Sequence, residues 1–209
     1  MSSFIDNELF TDFNSSAAYD SENKLLSSEQ VSFFKQSQCR DSSNRLLVLY
    51  HASNKDFTYF DPDRIGLNGG YIYGKGFYFC DNSFLVTDYG KYIKEFYLNI
   101  KKPFIWKMAE EDTEYLHNLN LFIEILNQNN FTVTKELRVQ LEDDLLECCG
   151  GLDTIIEMTC GVNSAQQYFI KAGYDGIINL ETGDYVAFKQ EQIKLCSNRQ
   201  PSATNNIAA

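Results

Sequence analysis

The sequence predicts an α+β fold in which two small, facing, mostly antiparallel β-sheets enclose a cleft and carry a helical insert. Three observations lead there. Short apolar runs of strand length lie before residue 105, segments of helical period fill the middle of the chain, and short apolar runs return after residue 175. Strands, then helices, then strands is the order of an α+β domain rather than of a doubly wound parallel sheet. With 209 residues, 44% of them hydrophobic and including 16 Phe and 13 Tyr, the chain can fill one ordinary core.

Residues 1–45 are rich in Ser, Asp and Asn and read as a flexible or partly helical arm, with a short helix from Ser28 capped by Ser27 or Ser28. At Arg45 the character changes to Leu46-Leu47-Val48-Leu49-Tyr50-His51, a first strand. Pro62, Gly66 and Asn68-Gly69-Gly70 mark a long loop. Phe77 to Cys80 is a second strand, Asn82 to Tyr92 a helix, and Glu95 to Ile100 a third strand that stops before Pro103. Tyr115, Leu119, Phe122, Ile123 and Leu126 share one helical face, and Lys135 to Cys148 is a further helix ended by Gly150-Gly151. Leu152 to Thr159 and Ser164 to Ala172 are shorter helices, the last stopped by Gly173. The helical insert thus runs over about 112–159. Three strands follow, at Gly176 to Ile178, Tyr185 to Phe188 and Ile193 to Cys196, and a polar tail from 197 to 209 is expected to be disordered.

Charge and composition exclude several functions. With 18 basic against 29 acidic residues the net charge is −11, so neither a phosphate-tracking surface for nucleic acid nor attraction to an anionic membrane is expected. No apolar run reaches the ~18 residues of a membrane span, and Met1 to Glu8 lacks the pattern of a secretory signal. The six cysteines include an adjacent pair, Cys148-Cys149, and no CxxC, and there are two histidines. These read as free structural thiols in a reducing, cytoplasmic compartment, with no metal site expected.

Three segments carry chemistry. The first is Leu49-Tyr50-His51-Ala52-Ser53, a strand ending in a histidine. The second is Tyr73-Gly74-Lys75-Gly76-Phe77-Tyr78-Phe79-Cys80-Asp81, where two glycines before an aromatic strand permit close backbone approach or a turn. The third is Gly173-Tyr174-Asp175-Gly176-Ile177-Ile178, followed by Asp184-Tyr185-Val186-Ala187-Phe188 and Gln192-Ile193-Lys194. Lys75 reads as a solvated side chain, and His117 has no assigned role.

In this order, and with Leu98-Asn99-Ile100-Lys101-Lys102-Pro103-Phe104 between the second and third, these segments resemble the ADP-ribosyltransferase superfamily. The match is to its His-Tyr-Glu branch, that of diphtheria toxin and the poly(ADP-ribose) polymerases, and within it to small bacterial and phage transferase domains. It covers Leu46 to Cys196 and leaves the N-terminal arm outside. The resemblance implies an NAD cleft between the sheets, with the helical insert outside it, and transfer of ADP-ribose from NAD with release of nicotinamide. His51 matches the triad histidine that binds the adenosine ribose. Ala52 stands where the family has glycine gripping the nicotinamide carboxamide, and Ser53 is the small hydroxyl residue after it. Gly76 belongs to the glycine turn, Tyr78 matches the triad tyrosine, and Tyr89 a second aromatic, the two tyrosines sandwiching nicotinamide. Asp184 occupies the place of the triad glutamate, one methylene shorter, with Glu181 on the preceding turn as the alternative carboxylate. Val86 stands where relatives offer nicotinamide a hydroxyl.

The expected activity is mono-ADP-ribosylation of a protein acceptor, since the chain lacks the regulatory helical domain of the polymerases. By analogy with lone domains of this kind, a bacterial effector or toxin acting in a host cytosol fits. Two alternatives stay open: an NAD glycohydrolase, and a transferase fold without catalysis that serves as a binding module.

Overall fold

The computed structural model describes residues 16–57, 59–65, 71–107, 112–147 and 151–196. The expected tail, the loop glycines Gly66, Gly69 and Gly70, and Cys148-Cys149 lie outside the described residues.

Within the described residues seven strands form the framework: β1 (Leu49–Ser53), β2 (Phe77–Cys80), β3 (Tyr92–Leu98), β4 (Pro103–Trp106), β5 (Gly176–Asn179), β6 (Asp184–Ala187) and β7 (Ile193–Leu195). Among the described residues five helices accompany them: α1 (Ser28–Phe33), α2 (Asp112–Gln128), α3 (Lys135–Glu147), α4 (Leu152–Met158) and α5 (Val162–Lys171). The α+β class is as expected. The arrangement of two facing sheets is corrected: the strands form one mixed sheet in the order β4-β5-β6-β2-β1-β3-β7. The reason lies at its centre. β1 and β2 are joined through a single Cα pair, Tyr50 with Cys80, which fuses two better-paired halves. On one side β1 pairs with β3 over five positions; on the other β2 pairs with β6 over four. All pairs are antiparallel except β4 with β5.

Two elements differ from the sequence reading for local physical reasons. Asn82 to Tyr92 is not a helix: it holds a 3₁₀ turn at Thr87–Tyr89, and β3 already begins at Tyr92. Asn82 Oδ1 accepts the Phe84 N–H at 2.9 Å, an Asx turn that competes with helix initiation. Gly90 then packs so closely on Ser53 that a Cβ would sit 2.2 Å from the Ser53 carbonyl carbon, which brings the chain back to the sheet. The additional strand β4 starts at Pro103, tolerated there because it is the first residue of an edge strand.

Strand alternation divides the core. Phe104, Trp106, Ile177 and Val186 face the helices, packing with Phe122, Phe169, Leu152 and Ile156. Phe77, Phe79, Ile178 and Tyr185 face the other way, with Phe60 and Phe96. Before β1, Ser27 caps α1 through a capping box with Gln30, and Phe34 is buried beside Tyr97. Tyr97 donates to Asp20 Oδ2 at 2.7 Å, which pins the segment from 16 to 45 to β3. Cys39, Cys80, Cys160 and Cys196 are free thiols, and burial pushes that of Cys39 up to about 12. Among the described residues no helix is long and apolar enough to cross a membrane.

Candidate active site

The turn entering β2 sets the first part of the site. Gly74 has φ +101°, a left-handed conformation, and a Cβ on it would meet the backbone of α5 at Gln166 N, 2.9 Å away. A Cβ on Gly76 would lie 2.4 Å from Val186 Cγ1, so glycine here lets β2 lie flat on β6. Tyr78 closes the turn from its far side. Its hydroxyl donates to the Gly74 carbonyl at 2.6 Å and accepts the Tyr73 N–H at 3.0 Å. Burial pushes the Tyr78 phenol well above its ordinary value, so it stays neutral. The ring of Tyr78 lies 6.2 Å from that of Tyr73, 17° from parallel.

The β5–β6 hairpin supplies the carboxylate. Asp184, the first residue of β6, pairs with Cys80 on one side and Asn179 on the other. Alternation therefore places Tyr78, Cys80, Asp184 and Val186 on the helix-facing side of the sheet. Asp184 Oδ2 accepts from Thr182 Oγ1 at 2.7 Å and from the Tyr73 hydroxyl at 3.1 Å. Its Oδ1 has no hydrogen-bond partner among the described residues. Burial raises the Asp184 carboxyl above the usual carboxylate range, the two hydroxyls oppose this, and the charge of Asp153 on α4 adds to it. Asp81 is raised as well, by burial and then by Asp184. Asp81 packs on the hairpin turn itself, where its N–H donates to the Gly183 carbonyl at 3.1 Å and a Cβ on Gly183 would stand 2.5 Å from its Oδ1.

Glu181 is held elsewhere. Its Oε2 accepts the indole N–H of the fully buried Trp106 at 2.9 Å.

His51 lies on β1 with its ring on the other side of the sheet, edge-on to Phe57 and Phe60 and tilted against Phe79. Its Nδ1 donates to the Tyr78 carbonyl at 2.7 Å, which fixes the tautomer and leaves Nε2 as an acceptor. Burial holds the imidazole below its ordinary value, hence neutral. Ala52 is buried with Cys80 and Val86, and Ser53 Oγ accepts the Lys55 N–H. Tyr89 ends the 3₁₀ turn with its side chain 68% exposed.

The structure thus brings Tyr78 and Asp184 together through Tyr73, and ties His51 to Tyr78 by a backbone carbonyl. Sequence reasoning overlooked Tyr73, Asn179 and Thr182. Asn179 Nδ2 donates to the Tyr73 hydroxyl at 2.9 Å, which completes the network behind Asp184. The one available signal was the place of Tyr73 at the head of the glycine turn, opposite the polar hairpin Asn179 to Asp184. A surface depression lined by Tyr59, Phe60, Gln190 and Lys194 contains none of these residues and reaches them through Phe60, whose ring lies edge-on to His51.

Comparison with known proteins adds three findings. A family model described as ADP-ribosyltransferase in polyvalent proteins matches residues 41–203. No curated protein matches the chain. A solved structure described as the crystal structure of an anti-CRISPR protein is similar at 9% identity and a TM-score of 0.36, over 71% of this chain and 93% of that one, a likeness too weak to carry an argument.

Proposed function

Because the chain belongs to the ADP-ribosyltransferase family found in polyvalent proteins, we propose that it is a mono-ADP-ribosyltransferase acting from NAD on a protein acceptor. The observation that carries this reading is the Asp184 carboxylate, with one oxygen anchored by two hydroxyls and the other without a partner among the described residues. NAD supplies a ribose whose C1 bears a leaving group that is already cationic, so no general acid is required.

The residues fit such a substrate in their chemistry. Asp184 Oδ1 and His51 Nε2 are both acceptors without a partner among the described residues, as sugar hydroxyls require. His51, held neutral on the face of the sheet opposite Asp184, is to meet a ribose hydroxyl through Nε2 where β1 and β2 part beyond the Tyr50 and Cys80 pair. The Ala52 backbone and Ser53 lie one and two residues further along β1 and take the carboxamide end. Tyr78 and Tyr89 supply aromatic surface for nicotinamide, and buried Val86 offers no hydroxyl there.

In the transfer, the bond from C1 to the nicotinamide nitrogen breaks and its electron pair leaves on neutral nicotinamide. The acceptor's nucleophilic atom forms the new bond to C1 and gives up a proton. Asp184 opposes the positive charge that develops on the ribose and takes up that proton or passes it to solvent. A carboxylate set in place beforehand stabilises this charge without reorganising at the moment of reaction.

The test is turnover of etheno-NAD together with labelling of candidate acceptor proteins by biotinylated NAD. Label on protein that disappears in Asp184→Asn supports the transferase. Turnover without label reassigns the chain as a glycohydrolase, and neither signal reassigns it as a binding module.

A further inference from the structure

We infer that Tyr73 is a positioning residue for Asp184: its phenol, locked by Asn179 and by stacking on Tyr78, turns the carboxylate so that Oδ1 faces outward. The inference rests on the transferase reading and extends it to a residue with no assigned role.

The argument is one of proton direction. Tyr73 is 1% exposed, so its hydroxyl has to be satisfied within the protein. Asn179 Nδ2 donates to its oxygen, which commits a lone pair and leaves the single phenolic proton to point away. What lies there is Asp184 Oδ2 at 3.1 Å, with Thr182 Oγ1 at 3.2 Å beside it. Thr182 donates its own proton to the same Oδ2 at 2.7 Å, so both hydroxyls converge on one carboxylate oxygen. The phenol cannot swing away. Its ring is nearly parallel to Tyr78, and its backbone N–H is bonded to the Tyr78 hydroxyl. Asn179 is in turn the register partner of Asp184 across the hairpin and accepts the Glu181 N–H at 3.0 Å. The network therefore closes on itself, and its one unpartnered acceptor among the described residues is Asp184 Oδ1. A carboxylate on a short aspartate arm has few rotamers with which to correct its aim, so an external clamp takes over that task.

A purely structural Tyr73 is the competing account, since the residue also belongs to the helix-side core. Tyr73→Phe separates the two. It keeps the ring and removes one donor to the carboxylate. The variant is expected to lower kcat about 10–100-fold while KM for NAD stays within a few-fold, because the lost interaction matters to the transition state. The acid limb of the pH profile moves to higher pH, since a hydrogen bond that favours the charged carboxylate is gone. Asp81 at the end of β2, Asp153 on α4, Cys80 beside Asp184 and the neutral phenol of Tyr78 also face this group, and they are the same in both proteins. The shift thus reports Tyr73. Tyr97→Phe is the matched control, because it deletes a buried phenol that donates to a distant carboxylate, Asp20. It is expected to leave the pH limb in place.

Carbon-13 NMR titration of the Asp184 carboxyl, assigned with Asp184→Asn, gives a reading that needs no turnover: its midpoint rises in Tyr73→Phe. Should Tyr73→Phe not fold, Asn179→Ala removes the donor that turns the Tyr73 proton toward Asp184 and is expected to raise the same midpoint, while an unchanged midpoint in the folded variant overturns the inference. An active wild type whose folded Tyr73→Phe variant keeps its kcat, pH limb and Asp184 midpoint overturns this inference alone. A wild type that turns over no NAD overturns the transferase reading, while the NMR midpoint still decides whether Tyr73 orients Asp184.

Discussion

His51 Nδ1 lies 2.7 Å from the carbonyl oxygen of Tyr78, at the place where backbone pairing between β1 and β2 stops. Beyond Tyr50 and Cys80 the two strands have no further Cα pairing, and the imidazole bonds the Tyr78 carbonyl across this junction. One residue thereby serves two ends. It joins the halves of the sheet with one nitrogen and presents the other as a neutral acceptor.

Removing that imidazole should weaken the junction. His51→Ala removes the imidazole bond to the Tyr78 carbonyl together with the ring packed on Phe60, and is expected to cost about 1–3 kcal/mol. His51→Asn, whose amide can donate from nearly the same position, recovers part of it. The sign of the pH dependence follows from the lowered imidazole value. Stability from the neutral ring is complete above the ordinary range near ~6.5 and is lost as pH falls through the folded value. Urea midpoints from pH 8 to 5 should fall more steeply for wild type than for His51→Asn; equal slopes would sink this account.

Asp184→Asn should separate activity from stability. A carboxyl raised in the native state binds its proton more tightly there than in the unfolded chain, so stability is greatest at low pH and declines as pH rises through the folded value. At neutral pH the variant is therefore expected to melt higher than wild type, because it removes a charge that burial disfavours. Rate should drop about 10²–10³-fold. A lower melting temperature at pH 7 with an unchanged fold would contradict the burial argument.

Glu181→Ala is expected to behave in the opposite way. The buried Trp106 indole loses the Glu181 oxygen that accepts its N–H, at a cost of about 1–3 kcal/mol, whereas Glu181→Gln retains an acceptor oxygen and most of the stability. Etheno-NAD turnover per folded molecule should survive both changes. Activity lost in Glu181→Gln but kept in Asp184→Asn would reassign the carboxylate.

Gly90→Ala tests the link between the Tyr89 turn and β1. The new Cβ would fall 2.2 Å from Ser53 C and 2.5 Å from Ser53 O, so backbone has to move. A loss of about 1–3 kcal/mol, as for overpacking elsewhere, is expected in the denaturant midpoint with the slope unchanged. A neutral effect would mean that this segment is free to leave the sheet.

Much of the architecture was legible in local pattern. Ser27 with Gln30 announces α1, helical periodicity marks α2, and alternation in Phe77-Tyr78-Phe79-Cys80 identifies β2 and sends Tyr78 to the opposite face from its neighbours. These features depend on residues a few positions apart, where backbone geometry alone sets which side chains meet. His51, Tyr78 and Asp184 were singled out only through the resemblance of their motifs to the ADP-ribosyltransferase superfamily. Long-range partners could not be picked out. Whether the strands make one sheet or two turns on the single Tyr50 and Cys80 pair. Tyr73 reaches Asp184 across 111 residues of chain, and Trp106 reaches Glu181 across 75. Such bonds form only once packing has brought together groups that, buried without each other, would each have lost their hydrogen bonds to water.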